Sequence, residues 1–295
     1  MRASVLLKKA SIFVLAGFLA ACQTGQGPAP TPVTSAAPAV QTAPLPAVAY
    51  APETAVERGF SALVLNASTG EELYAVDADA ARYPASLSKM MTLYLLFDAV
   101  SQGRYTLSTP LSVSAKAASQ PPAKIGIKAG STITVEQAAR ALAVKSANDV
   151  AIAVAENLAG SEAAFARQMT SQARALGLSR TRFVNATGLP DPAQVSSARD
   201  MAVLGLALKR RFPQYGSYYR AKSFDYNGRT FRATNNLVGK VAGVDGLKTG
   251  YIRMSGYNLV ATANRGGKRL IVVVMGGASE AARDKEVTRL IEAYS

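Results

Sequence analysis

The sequence predicts an α+β fold, a five-stranded antiparallel sheet flanked by helices and interrupted by a large helical insertion. Three observations predict it. Two β-prone segments near the start of the folded part are joined by a turn, the middle of the chain has helical periodicity, and β-prone segments return before a last helix.

Residues 61–65 and 72–76 flank the turn-rich Asn66-Ala67-Ser68-Thr69-Gly70, which predicts a hairpin. Pro84 then introduces a helix of about sixteen residues with Leu87, Met90, Met91, Tyr94 and Leu95 on its apolar positions. Thr134 and Gln137 form a capping box that opens a helix to about residue 144. Further helices are predicted over 148–158, over 161–176 with Gly177 as its cap, and over 197–211, where Pro213 stops the pattern. Strands are predicted over 244–249, 256–263 and 269–275, the last two joined by Arg265-Gly266-Gly267-Lys268. The final helix, 279–293, presents Val287, Leu290 and Ile291 on one face.

Composition narrows the chemistry. The chain has 295 residues, nearly half of them apolar, so it can bury a sizeable core. It has no histidine, which excludes a Ser-His-Asp triad, a Cys-His pair and any histidine-ligated zinc. Acid–base work must fall to Lys, Asp, Glu, Tyr or Ser. The formal charge of +14 favours anionic partners. The basic residues are scattered, however, with Arg140, Arg167, Arg174 and Arg180 far apart, and no basic-aromatic module for nucleic acid is present.

The N-terminal region reads as an address. Arg2, Lys8 and Lys9 precede an apolar run over 12–21 that is short for a membrane span, the layout of a signal peptide. The run ends in Leu19-Ala20-Ala21-Cys22, which resembles the bacterial lipobox, and Cys22 is the only cysteine. Residues 1–21 are therefore expected to be a lipoprotein signal peptide and Cys22 a lipidated N-terminus. Residues 22–52 lack charge and hold half of the fourteen prolines, so they read as an extended tether. The catalytic domain is expected over 53–295.

Three short motifs suit one reaction. In Ser86-Leu87-Ser88-Lys89 the serine and lysine are three apart, so at a helix start the amine lies beside the hydroxyl. A serine hydroxyl needs a base to take its proton, and lysine serves only when neutral. The helix start also favours developing negative charge near the Ser86 N–H. Ser146-Ala147-Asn148 falls at the break between two predicted helices, where a hydroxyl can relay a proton and a carboxamide can both donate and accept. Helix capping explains that tripeptide equally well. Lys248-Thr249-Gly250 ends a predicted strand, where the first two can hold a carboxylate and the glycine lets substrate approach. Each motif alone has an ordinary structural explanation; their order and spacing together do not.

With these motifs the chain resembles the penicillin-recognising serine enzymes, most closely the D-alanyl-D-alanine carboxypeptidases, low-molecular-mass penicillin-binding proteins of the serine peptidase S11 family. Tyr83-Pro84-Ala85-Ser86-Leu87-Ser88-Lys89-Met90-Met91-Thr92 looks like the nucleophile segment of that family. Ser146-Ala147-Asn148-Asp149-Val150-Ala151, Phe183-Val184-Asn185, Asp245-Gly246-Leu247-Lys248-Thr249-Gly250-Tyr251 and Ser255-Gly256-Tyr257-Asn258-Leu259-Val260-Ala261 match it too, so the resemblance covers residues 55–295. It implies a β-lactamase/transpeptidase-like fold and a peptidoglycan stem peptide ending in D-Ala-D-Ala as substrate. It also implies trapping of Ser86 by β-lactams, and no metal or cofactor. In the implied roles Ser86 is the nucleophile and Lys89 its base, and Ser146 shuttles a proton. Asn148 positions the acyl chain, Lys248, Thr249 and Gly250 receive the terminal residue, and the N–H of Tyr251 completes the oxyanion hole with that of Ser86.

Two departures stand out. Many members carry a histidine after Lys-Thr-Gly, where Tyr251 stands here. The β-rich second domain and C-terminal amphipathic anchor of many relatives are expected to be missing, with the lipid on Cys22 holding the enzyme at the periplasmic face of the envelope. Three rivals share the motifs in whole or part. A class A β-lactamase should add a Glu-x-x-Leu-Asn segment, which this sequence lacks. A D,D-endopeptidase cutting cross-links has the same catalytic set, and a β-lactam-binding lipoprotein without turnover would keep only the binding site.

Overall fold

The computed structural model describes residue 56 and residues 58–295. The expected signal peptide over 1–21, Cys22 and the expected tether over 22–52 lie outside the described residues.

The chain opens with strands β1 (Ser61–Asn66) and β2 (Glu72–Val76), the expected hairpin. A 3-10 turn over Ala85–Ser88 leads into α1 (Lys89–Ser101). The helical insertion follows with β3 (Pro110–Ser112), α2 (Ala115–Ala118), β4 (Thr132–Thr134) and α3 (Val135–Arg140). After it come α4 (Asn148–Ala159), α5 (Glu162–Ala175), α6 (Ala198–Arg211) and the short α7 (Gly216–Arg220). A second small hairpin, β5 (Ser223–Tyr226) and β6 (Arg229–Arg232), precedes β7 (Val244–Ile252), β8 (Gly256–Arg265), β9 (Lys268–Gly277) and the closing α8 (Glu280–Tyr294).

Five strands form the expected antiparallel sheet, in the order β2-β1-β9-β8-β7 with β7 at an edge. Its two faces are buried separately because side chains alternate along each strand. Leu63, Val260, Ile271 and Val273 face the helical insertion, with Leu93 and Phe97 of α1 and Leu204 of α6 in the same core. Val64, Ala261, Val272 and Val274 face Val287, Leu290 and Ile291 of α8, the stripe visible in the sequence. Gly205 lets α6 approach the sheet, since a Cβ there would lie 2.8 Å from Ile271. No described helix is long and apolar enough to cross a membrane.

Several elements differ from expectation. The helix opened by the Thr134 capping box is α-helical only to Arg140 and continues as a π-helical turn over Ala141–Lys145. That turn ends at Ser146, whose left-handed φ of 62° breaks the helix before α4. Strand β7 runs to Ile252 rather than to 249, because the edge keeps pairing with β8 through Tyr251–Tyr257 and Ile252–Gly256. Lys248-Thr249-Gly250 thus lies inside a strand and not at its end. The hairpins β3–β4 and β5–β6 are additional to the expected elements; each is only three or four residues long per strand.

Candidate active site

Ser86 sits in the 3-10 turn that Pro84 caps and that opens with Ala85, whose φ is 50°. Leu87 N–H returns to the Pro84 carbonyl at 3.1 Å to close the turn. Asn258 of β8 fixes the turn to the sheet, its Nδ2 donating to the carbonyls of Tyr83 (3.0 Å) and Pro84 (3.2 Å). The Asn258 Oδ1 accepts from Gly276 N–H of β9 at 2.9 Å, so one buried carboxamide ties the nucleophile segment to two strands.

Lys89 is fully buried at the start of α1. Its Nζ lies 2.9 Å from Ser86 Oγ, 2.8 Å from Asn148 Oδ1 and against the Thr187 carbonyl oxygen. Burial first, then the like charge of Lys248, holds the amine well below the ordinary lysine range, and Asp149 opposes them. That shift favours the neutral form. A neutral amine has two N–H donors and one lone pair, while the Thr187 carbonyl and Asn148 Oδ1 can only accept. In the neutral amine those two acceptors take both N–H groups and leave the lone pair for the Ser86 hydroxyl.

Ser146 caps the π-helical turn through its backbone, but neither the Ser146 nor the Asn148 side chain caps α4. Ala147 is the N-cap of α4 and makes no side-chain cap bond. The Ser146 Oγ is buried, borders the cleft and has no hydrogen-bond partner among the described residues. Asn148 spends its Oδ1 on Lys89 and its Nδ2 on the Pro121 carbonyl at 3.1 Å. Asp149, next along, is buried and accepts from Ile125, Gly126 and Ile127 N–H at 2.8–3.3 Å, which holds the 121–127 segment over the site.

The opposite wall is β7. Thr249, Gly250, Tyr251 and Ile252 line the cleft, whose volume is about 700 Å³, together with Ser86, Ser146 and Asn148. Thr249 Oγ1 donates to Thr234 Oγ1 at 2.8 Å. Lys248 is buried, its Nζ donating to the Thr249 carbonyl at 2.8 Å. Burial, then the Arg283 charge, pulls Lys248 down to about 7. Tyr251 is 53% exposed and its ring packs against Tyr257 with centroids 4.3 Å apart.

Several of these groups carry little or no signal in the sequence. The Thr187 carbonyl carries no side-chain signal at all. Gly188 has φ of 79° and approaches so closely that a Cβ would lie 1.9 Å from the Ala85 carbonyl, which only a glycine permits. Arg283 of α8 is almost fully buried, borders the cleft and donates to Asp284 Oδ1 at 2.6 Å. Asp149 and Asn258 stand in the segments that resemble the family, and only the fold gives them partners.

The sequence matches the family described as Peptidase_S11, D-alanyl-D-alanine carboxypeptidase, over residues 49–279. It is 38% identical over 238 residues to the D-alanyl-D-alanine carboxypeptidase DacA of Escherichia coli K12, covering 78% of this chain and 59% of that protein. The chain thus spans about three fifths of the length of that relative. Its structure is similar to penicillin-binding protein 5 from Haemophilus influenzae, with a TM-score of 0.77, 33% identity and coverage of 82% and 72% of the two chains. It is also similar to the cefotaxime-bound penicillin-binding protein D2 from Listeria monocytogenes, with a TM-score of 0.69, 33% identity and coverage of 79% and 95%. On the family match across most of its length and the identity to DacA, the chain belongs to the D-alanyl-D-alanine carboxypeptidase family of serine peptidases, S11.

Proposed function

We propose that the protein is a D,D-carboxypeptidase that removes the terminal D-alanine from peptidoglycan stem peptides through an acyl-enzyme on Ser86. The observation that carries this reading is the placement of Lys89 Nζ, 2.9 Å from Ser86 Oγ and hydrogen-bonded to Asn148 Oδ1 and the Thr187 carbonyl.

In this reading the Lys89 lone pair takes the Ser86 proton as Oγ adds to the penultimate carbonyl. The backbone N–H groups of Ser86 and Tyr251 stabilise the oxyanion. Ser146, whose buried hydroxyl lacks a protein partner among the described residues, carries a proton to the departing amine of D-alanine as the C–N bond breaks. Asn148 orients the acyl chain. Lys248, Thr249 and Arg283 hold the terminal carboxylate, and Gly250 leaves room for it beside the Ser86 turn. Water then attacks the ester, Lys89 takes a proton from it and passes that proton to Ser86 Oγ as the ester C–O bond breaks, and the shortened peptide leaves as the acid without a metal or organic cofactor. β-Lactams, which the D2 protein binds as cefotaxime, would acylate the same hydroxyl.

The domain would be held at the periplasmic face of the bacterial envelope by a lipid on Cys22, with residues 22–52 as the tether. The lipobox-like Leu19-Ala20-Ala21-Cys22 and the uncharged Pro/Ala-rich stretch support this. The test of the reaction offers the protein a monomeric pentapeptide and a cross-linked dimer together. Release of free D-alanine, with the dimer left intact, supports carboxypeptidase action, whereas faster loss of the dimer assigns the endopeptidase.

A further inference from the structure

The cleft holds more positive charge than one terminal carboxylate uses. Its charged lining residues are Lys124, Lys145, Arg283 and Glu280. Arg283 is engaged with Asp284 and lies 3.8 Å from Glu280, and Glu280 also accepts from Asn236 Nδ2 at 2.5 Å. The side chains of Lys124 and Lys145 have no hydrogen bond or ion pair to any described residue. Both are partly exposed residues of the cleft lining with no ion-pair partner among the described residues.

The two lysines flank the Ser146–Asn148 turn. Lys145 is the last residue of the π-helical turn and immediately precedes Ser146. Its neighbour Val144 accepts Thr234 N–H at 3.1 Å, which sets that backbone beside the Thr234–Thr249 hydroxyl pair. Lys124 follows Ala123, whose carbonyl accepts Asn148 N–H at 2.7 Å. The hydrogen bonds that hold Asn148 against Lys89 therefore also fix where Lys124 stands. The far wall, β7, lines the cleft with Thr249 to Ile252, and its one lysine, Lys248, is the buried group assigned to the terminal carboxylate.

We infer that Lys124 and Lys145 form a second anion subsite, which selects peptides bearing a free carboxylate in addition to the C-terminal one. The inference rests on the carboxypeptidase reading for its substrate class. The lysines touch none of the reacting atoms in that reading. They act on affinity, and the effect should appear in KM rather than kcat.

Two pentapeptides ending in D-Ala-D-Ala test this, identical except that the internal carboxylates of one are amidated. The native protein is expected to favour the free acid in kcat/KM by about fivefold for each lysine engaged, the upper end for a partly exposed ion pair. Lys124→Met and Lys145→Met should each reduce that preference, the double variant should abolish it, and all should be acylated by benzylpenicillin at the native rate. Calorimetric binding of both peptides to Ser86→Ala reads the same preference without turnover, so it decides the inference even if no D-alanine is released. Equal affinity for the two peptides in the native and Ser86→Ala proteins, or a preference that survives in the double variant, would overturn it.

Discussion

A Cβ placed on Gly250 would lie 3.1 Å from the backbone nitrogen of Ser86 and 3.0 Å from the Pro84 carbonyl. The β7 edge and the nucleophile turn are therefore in contact with no room for a side chain. Gly250→Ala should displace the turn by a few tenths of an ångström and slow β-lactam acylation by about tenfold, less than the ~10²-fold that a 1 Å misplacement costs. Melting temperature should change little, since β7 pairs with β8 regardless. Stopped-flow acylation with a fluorescent penicillin checks this, and native acylation in Gly250→Ala would show the turn to be more compliant than its packing implies.

The two buried lysines set opposite requirements on pH. Lys89 must be neutral to act as a base, and its lowered pKa lets it do so well below the ordinary lysine range. Lys248 must be charged to attract a carboxylate, and above about 7 that charge is lost in the empty site. The kcat/KM profile should be a bell, rising as Lys89 deprotonates and falling as Lys248 does. A bound carboxylate raises the Lys248 pKa, so the falling limb of kcat should lie at higher pH than that of kcat/KM. Lys248→Arg, which stays charged, should remove the falling limb. A rising limb near pH ~10, the unperturbed lysine value, would contradict the account.

Asp149 supplies a separate handle because its charge raises the Lys89 pKa. Asp149→Asn should move the rising limb to lower pH. Asp149→Ala should also leave the N–H groups of Ile125, Gly126 and Ile127 without their acceptor, and lose about 2–4 kcal/mol of stability. Urea unfolding and the pH profile measure the two effects independently. An unmoved limb in Asp149→Asn would mean that the carboxylate is not felt at Lys89.

Cys22→Ser should abolish incorporation of labelled fatty acid and shift the protein from membrane to soluble fractions. Several acyl chains anchor a protein firmly, where a single chain holds it only marginally. Unchanged labelling of Cys22→Ser would dismiss the lipid anchor.

Much of the fold is legible in the amino-acid sequence. The sheet and the long helices follow from apolar patterning, which decides faces as well as elements: Val287, Leu290 and Ile291 make one stripe in the sequence and bury one sheet face in the fold. The three motifs meet at one cleft because each is short, local and made of chemically distinctive side chains. The rest depends on contacts between distant segments or on backbone atoms. The Thr187 carbonyl reaches Lys89 across 98 residues of sequence, and nothing in the threonine side chain announces it. The π-helical turn before Ser146 obeys the same residue preferences as an α-helix. Hairpins as short as β3–β4 and β5–β6 have too few residues to establish an alternating pattern, and Phe224 and Phe231, stacked 5.4 Å apart, pair only after folding.

The central claim, that Lys89 activates Ser86, is tested most directly by intact-mass analysis after benzylpenicillin treatment of the native protein, Ser86→Ala and Lys89→Met. The account predicts one adduct on the native protein, mapped to the peptide that contains Ser86, and none on Ser86→Ala. Lys89→Met should be acylated on the order of 10² to 10⁴ times more slowly, the usual contribution of a positioned general base. An equal adduct on Ser86→Ala, or a native acylation rate in Lys89→Met, would contradict it.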